Sequence, residues 1–207
     1  MSRRLAAEDA AGLLLADLDV AAVEDLASEL DEGECRVVGM GSDTTRESDV
    51  RTLVATVEQH FGPIDLFCSA ASLRTGQGTN ASNALWQASW EVNVMVDVYA
   101  ARAVLPAMVA RGRGHLLSVA SAAGLSTTPQ DAPHSVTTHA AVTFARWLAA
   151  TYGARGIGIS MVGPLTLPGS MGPGADEVAQ AVACALKDDR FPTMPTTARH
   201  PAAGHRQ

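Results

Sequence analysis

Five short apolar runs punctuate the chain: GLLLADL from Gly12, CRVVGM from Cys35, IDLFCSA from Ile64, HLLSVAS from His115 and IGISMVG from Ile157. Each has the length of a buried strand, and each is separated from the next by a longer stretch with apolar residues at helical spacing. VAAVEDLASEL follows the first run with Asp19 as its N-cap, and ESDVRTLVATVEQHFG follows the second and is closed by Gly62. After the third run a polar loop from Ser72 to Ser82 leads into ALWQASWEVNVMVDVYAARAVLPAMVARG. HSVTTHAAVTFARWLAATYG lies between the fourth and fifth runs, and DEVAQAVACALK follows the last. Apolar strands alternating with helices predict a mostly parallel sheet covered on both faces, the doubly wound α/β class, with right-handed crossovers. Such sheets take ligands at the carboxyl ends of their strands. That rule puts Asp17, Asp43, Ser69, Ser121 and Pro164 on one rim.

Charge and cysteine usage narrow the function class. With 15 basic against 22 acidic residues the net charge is -7, which argues against nucleic acid and against an anionic membrane as partners. The three cysteines, Cys35, Cys68 and Cys184, are too dispersed for a disulfide framework or a Cys-x-x-Cys metal site. No single apolar run reaches the length of a membrane span, and the acidic residues around LLLA near the start do not suit a secretory signal. The expected location is the cytoplasm. The expected organisation is one domain over residues 1–190 and a flexible tail over 191–207, where Pro, Thr, Ala and Arg dominate.

Six pieces in register resemble the short-chain dehydrogenase/reductases: ADLD, SDTT, FGPIDLFCSAAS, EVNV, SVASAAG and HSVTTHAAV. The resemblance runs from about Met1 to Pro195 and implies a Rossmann-like sheet, a nicotinamide cofactor and a small alcohol or carbonyl substrate. In that family a serine holds the reacting oxygen, a tyrosine moves its proton, a lysine four residues on tunes the tyrosine and grips the nicotinamide ribose, and an asparagine holds a relay water. The resemblance puts the serine at Ser121 and the asparagine at Asn93. It puts the tyrosine at His134 and the lysine at Thr138, where two of the expected side chains are replaced. Thr138 supplies no cation; an imidazole can act as acid or base, but with a different reach from a phenol. The resemblance also implies a dimer or tetramer formed through the helices that carry Asn93 and His134.

Further departures follow. Asp17 matches the acidic residue that meets a ribose hydroxyl, which favours NAD over NADP, or else it caps the next helix. Asp43 matches the position beside the adenine amine, or else it is a turn residue. The glycine-rich pyrophosphate turn would then fall at or before Met1, and no Gly-x-Gly-x-x-Gly occurs in the sequence. The expectation is therefore a domain incomplete at its N-terminus, without its first central strand, and with flanking strands that close up or keep unpaired edges. Ser69-Ala70-Ala71-Ser72 stands where the family has Asn-Asn-Ala-Gly, and Pro164 is followed by leucine in place of glycine. Three readings stay open: an oxidoreductase with weak or lost activity, a non-catalytic binding or interaction module, and a reading frame that starts upstream.

Overall fold

All five apolar runs form strands: β1 (Gly12–Asp17), β2 (Arg36–Gly41), β3 (Leu66–Ser69), β4 (Gly114–Val119) and β5 (Ile157–Val162). This computed structural model describes residues 1–8, 10–31, 33, 35–119 and 130–162, with Glu177, Ala179, Gln180, Val182, Ala183 and Leu186. The helices are α1 (Ser2–Ala6), α2 (Val20–Asp31), α3 (Glu47–Phe61), α4 (Asn83–Trp90), α5 (Val96–Arg111) and α6 (Ala132–Tyr152). Their ends follow the residues expected to set them. Asp19 Oδ1 accepts from the Ala22 N–H at 3.1 Å at the start of α2. Gly62 closes α3 at φ 84°, a conformation that a side chain would strain.

Every strand pair is parallel, and among the described residues the strands fall into two sheets, β1-β2 and β3-β4-β5. β1 and β3 each keep one edge without a strand partner there. Alternation along the strands sends side chains to opposite faces. In the first sheet Leu13, Leu15 and Val37 pack with Ala27 and Leu30 of α2 and with Ala6 of α1. On its other side the Arg36 guanidinium sits 5.7 Å from the centre of the Phe61 ring of α3. Gly39 lets α2 approach β2 closely, since a Cβ there would stand 2.8 Å from the Val23 carbonyl oxygen. In the second sheet Phe67, Leu116, Ile159 and Met161 meet α5 and α6 through Val104, Met108, Ala141 and Leu148, which form the main core. Leu117 and Val162 on the opposite face pack with Val182, Leu186 and Met1. Helices on both faces of parallel sheets are the doubly wound arrangement.

One departure concerns the long helical stretch. It is not uniform: α4 passes through a π-helical turn, Glu91–Met95, before α5 begins. Within residues 83–111 an 18-residue window reaches a mean hydropathy of 1.4, which meets the length and composition of a membrane span and which the strand-by-strand reading of apolar runs missed. Val96, Ala100, Ala101, Val104, Leu105 and Met108 are buried inside the protein, so the stretch serves as a core helix.

Candidate active site

The carboxyl ends of β3 and β4, the π turn and the start of α6 meet at one place, and the backbone of Leu73 is its centre. The Leu73 N–H donates to Asn93 Oδ1 at 2.7 Å, and the Leu73 carbonyl accepts from Asn93 Nδ2 at 3.1 Å and from His134 Nδ1 at 3.0 Å. Asn93 Nδ2 also donates to Thr137 Oγ1 at 2.9 Å. The π turn widens the helix at Asn93, and such bulges often lie at functional sites. Asn93 and His134, expected to share a site, are thus joined through a carbonyl from the polar loop.

His134 and Thr138 do lie on one face of α6, as their four-residue spacing dictates. Their environments differ from an open cleft: exposure is 1% at His134 and 4% at Thr138. The Thr138 hydroxyl turns back on its own helix, donating to the His134 carbonyl at 2.7 Å and to the Ser135 carbonyl at 3.2 Å. The His134 Nε2 atom is buried and has no hydrogen-bond partner among the described residues. Ser121 and Pro164, two of the five rim positions expected from the sequence, lie outside the described residues.

Asp131 is a residue the sequence reading missed. It caps α6 by accepting from the His134 N–H at 3.2 Å, and the same carboxylate takes the Thr75 N–H at 2.8 Å, the Thr75 hydroxyl at 2.8 Å and the Gly76 N–H at 2.9 Å. Burial pushes its carboxyl up, but the donors from Gly76, Thr75 and His134 together outweigh that and hold it below the usual carboxylate value. The polar loop is thereby clamped to the helix that carries His134. An aspartate just before Ala-Pro at a helix start was the available sequence signal.

Beneath this cluster lies a second carboxylate, Asp97, one helical turn after Asn93. The Ser118 hydroxyl donates to its Oδ2 at 3.0 Å, and Ser69 also hydrogen-bonds to it. Desolvation dominates here and raises the Asp97 carboxyl to about 6, against the lowering effect of the two hydroxyls. Cys68, next to Ser69, is pushed up to about 12 by burial and by the Asp97 charge. Ser69 was expected on the cofactor rim; its hydroxyl is engaged by Asp97.

At the far rim Asp17 is exposed at the end of β1, and its Oδ1 accepts from the Asp19 N–H at 3.0 Å. Asp43 organises a turn, accepting from the Thr45 hydroxyl at 2.6 Å and from the Thr45 N–H at 3.1 Å. The Thr45 hydroxyl, helped by the Thr45 N–H and by Arg46 against burial, holds the Asp43 carboxyl below its ordinary value. Beside it the Ser42 hydroxyl is buried and has no hydrogen-bond partner among the described residues.

Residues 1–175 match the sequence pattern of the short chain dehydrogenase family. The chain belongs to that family. This short-chain dehydrogenase is 31% identical over 163 residues to 2-(S)-hydroxypropyl-CoM dehydrogenase 3 of Xanthobacter autotrophicus, covering 78% of this chain and 64% of that protein. It is 30% identical over 159 residues to 2-keto-3-deoxy-L-fuconate dehydrogenase of Xanthomonas campestris pv. campestris, covering 76% of this chain and 50% of the relative. It thus spans between half and two thirds of the length of these two relatives. Its fold matches that of a short-chain dehydrogenase/reductase from Burkholderia phymatum in complex with NAD, at TM-score 0.81 and 22% identity, over 92% of this chain and 83% of the other.

Set against a nicotinamide dinucleotide, the residues present fit at one end and not at the other. The exposed Asp17 carboxylate and the unpartnered Ser42 hydroxyl suit an adenosine and its ribose. At the other end the Thr138 hydroxyl is committed to its own helix and offers no ammonium to a second ribose.

Proposed function

We propose that this short-chain dehydrogenase is an NAD(P)-linked, oxidoreductase-like protein for a small alcohol or carbonyl compound, and that turnover by this chain is weak or lost. The observation that carries the reading is Thr138. Where the family has a lysine, a neutral hydroxyl is folded back onto the His134 carbonyl at 2.7 Å, so this side chain brings no positive charge to the proton-transfer position. General acid–base help is worth about 10²–10⁴-fold in rate, and its loss leaves binding and positioning alone. NAD is favoured over NADP because the Asp17 carboxylate would repel a 2′-phosphate. The free thiols of Cys35 and Cys68 suit the cytoplasm as its compartment. Ser121 and Pro164 are proposed to complete the substrate and cofactor sides of the site.

Calorimetry with NAD, run beside steady-state alcohol oxidation, tests this. The unaltered protein is expected to give weak or no heat and little turnover, and the double variant His134→Tyr, Thr138→Lys to gain in both. Micromolar NAD affinity with brisk oxidation by the unaltered chain overturns the reading.

A second reading, an interaction module that pairs with itself or with an intact homologue, draws on the outer face of α5 and α6. A groove of about 540 Å³ there is lined by Leu105, Pro106, Phe144, Trp147 and Tyr152, with Trp147 55% exposed and stacked 6.2 Å from Phe144. Light scattering of the unaltered protein and of Trp147→Glu tests the self-pairing: a dimer or tetramer that the substitution splits supports it, and a monomer in both removes it.

A further inference from the structure

We propose that His134 Nε2 is a fixed hydrogen-bond acceptor, so that this site takes the alcohol form of a ligand in preference to the carbonyl form. The inference rests on the reading of the site as one for an alcohol or carbonyl compound, and it names which of the two the geometry selects.

A carbonyl oxygen only accepts, so the 3.0 Å contact between His134 Nδ1 and the Leu73 carbonyl requires the proton on Nδ1. The alternative in which the ring turns over and presents a carbon to that oxygen forfeits the contact. The carbonyl itself cannot swing away. Its peptide neighbour, the Leu73 N–H, is held by Asn93 Oδ1 at 2.7 Å, and Asn93 Nδ2 approaches the same carbonyl at 3.1 Å. Asn93 is fixed in turn, because its oxygen must face the Leu73 N–H and its nitrogen the Thr137 oxygen at 2.9 Å. Two residues further along the loop Asp131 takes the Thr75 N–H, so the segment that presents the carbonyl is tied to the helix that presents the ring.

With one proton on Nδ1, a neutral imidazole has only a lone pair on Nε2. That atom is buried on a side chain 1% exposed and meets no donor among the described residues. A buried acceptor without a donor is a stated demand for one. An alcohol hydroxyl meets it. A ketone or aldehyde oxygen does not, because it would set lone pair against lone pair. A phenol at this position could donate to a carbonyl and accept from an alcohol through one oxygen, and would serve both forms. The imidazole therefore changes the direction of the hydrogen bond as well as the acidity of the group.

The test uses the full chain labelled with ¹⁵N at histidine, with the His134 resonances identified by their loss in His134→Gln. Long-range ¹H–¹⁵N spectra report the tautomer directly, and cyclohexanol and cyclohexanone at equal concentration are the probes. The expected result is a single Nδ1–H tautomer whose Nε2 resonance moves several-fold further with cyclohexanol than with cyclohexanone. An Nε2–H tautomer, or a ketone response as large as the alcohol response, overturns the proposal and leaves the alcohol/carbonyl reading of the site standing. A fixed Nδ1–H ring that neither probe disturbs overturns the proposal and counts against that reading as well.

Discussion

Leu73 and Asn93 are joined as two residues of neighbouring strands would be, the Leu73 N–H donating to Asn93 Oδ1 at 2.7 Å and Asn93 Nδ2 donating to the Leu73 carbonyl at 3.1 Å. A side-chain amide here plays the part of a peptide group and holds a loop that has no ladder of its own. Asn93→Ala leaves the Leu73 N–H without its acceptor. Loss of a buried partner costs about 1–3 kcal/mol, so urea unfolding should show a destabilisation in that range. Amide exchange should quicken at Leu73 and Thr75 more than in β4. Unchanged protection at Leu73 would show that the loop is held by other means.

Asp131 gives a prediction with a defined sign. Its folded carboxyl is held below the ordinary value of 3.8, with burial opposing and the Gly76, Thr75 and His134 donors winning. The stabilisation is therefore fully present above that ordinary value and is lost as pH falls through the lower folded one. Asp131→Asn turns one acceptor oxygen into a donor facing N–H groups and should destabilise at neutral pH by about 2 kcal/mol or more. The gap between variant and parent in thermal melts should narrow below about pH 4. A gap independent of pH would mean that the carboxylate charge is not what the loop uses.

How far this architecture was legible depends on the range of each signal. The strands were read from continuous apolar runs, and the helix limits from Asp19 and Gly62, because those are local preferences of single residues. The π turn was not legible: it alters one turn of an apolar helix, and EVNVM reads the same in either winding. Asp131 was passed over because three of its donors come from Thr75 and Gly76, remote in sequence, and two of those are backbone N–H groups that leave no compositional trace. The hydrogen-bond partners of Ser69 and Thr138 were not legible for a related reason. Position on a rim or a helix face fixes where a side chain starts, and not whether a neighbour such as Asp97, or the residue's own helix, claims its hydroxyl first.

Gly39 tests the packing that sets the first sheet. A methyl group there would meet the Val23 carbonyl oxygen at 2.8 Å and Ala27 Cβ at 3.1 Å, and the nearer of these is backbone and cannot rotate away. Gly39→Ala should push α2 off β2 and cost about 1–3 kcal/mol, the usual range for overpacking. Gly33→Ala, where the nearest atom is 3.5 Å away, is the matched control and should be close to neutral. Equal effects at both positions would remove close helix–strand approach as the reason for glycine at 39.

Asp97 should shift stability with pH in the opposite sense to Asp131. It sits in an otherwise apolar stretch, between the ends of β3 and β4, and desolvation raises its carboxyl from 3.8 to about 6 despite the Ser69 and Ser118 hydroxyls. A group whose folded value is raised binds its proton more tightly in the folded state. Its contribution is then fully present below the ordinary value of 3.8 and is lost as pH rises through about 6. Asp97→Asn keeps the shape and carries no charge, so it should match the parent near pH 4 and exceed it above pH 7, on the order of 2–3 kcal/mol in denaturant melts. The difference between the two proteins, followed across pH, isolates this carboxyl from every other titrating group. Since the Ser118 hydroxyl bonded to Asp97 lies on the last turn of strand before the Ser121 segment, the same variant should leave the His134 tautomer unchanged if Asp97 acts on the strands alone. A variant no more stable than the parent above pH 7 would mean that the ionised carboxylate is solvated where it stands, and that the floor of the site is wetter than its packing implies.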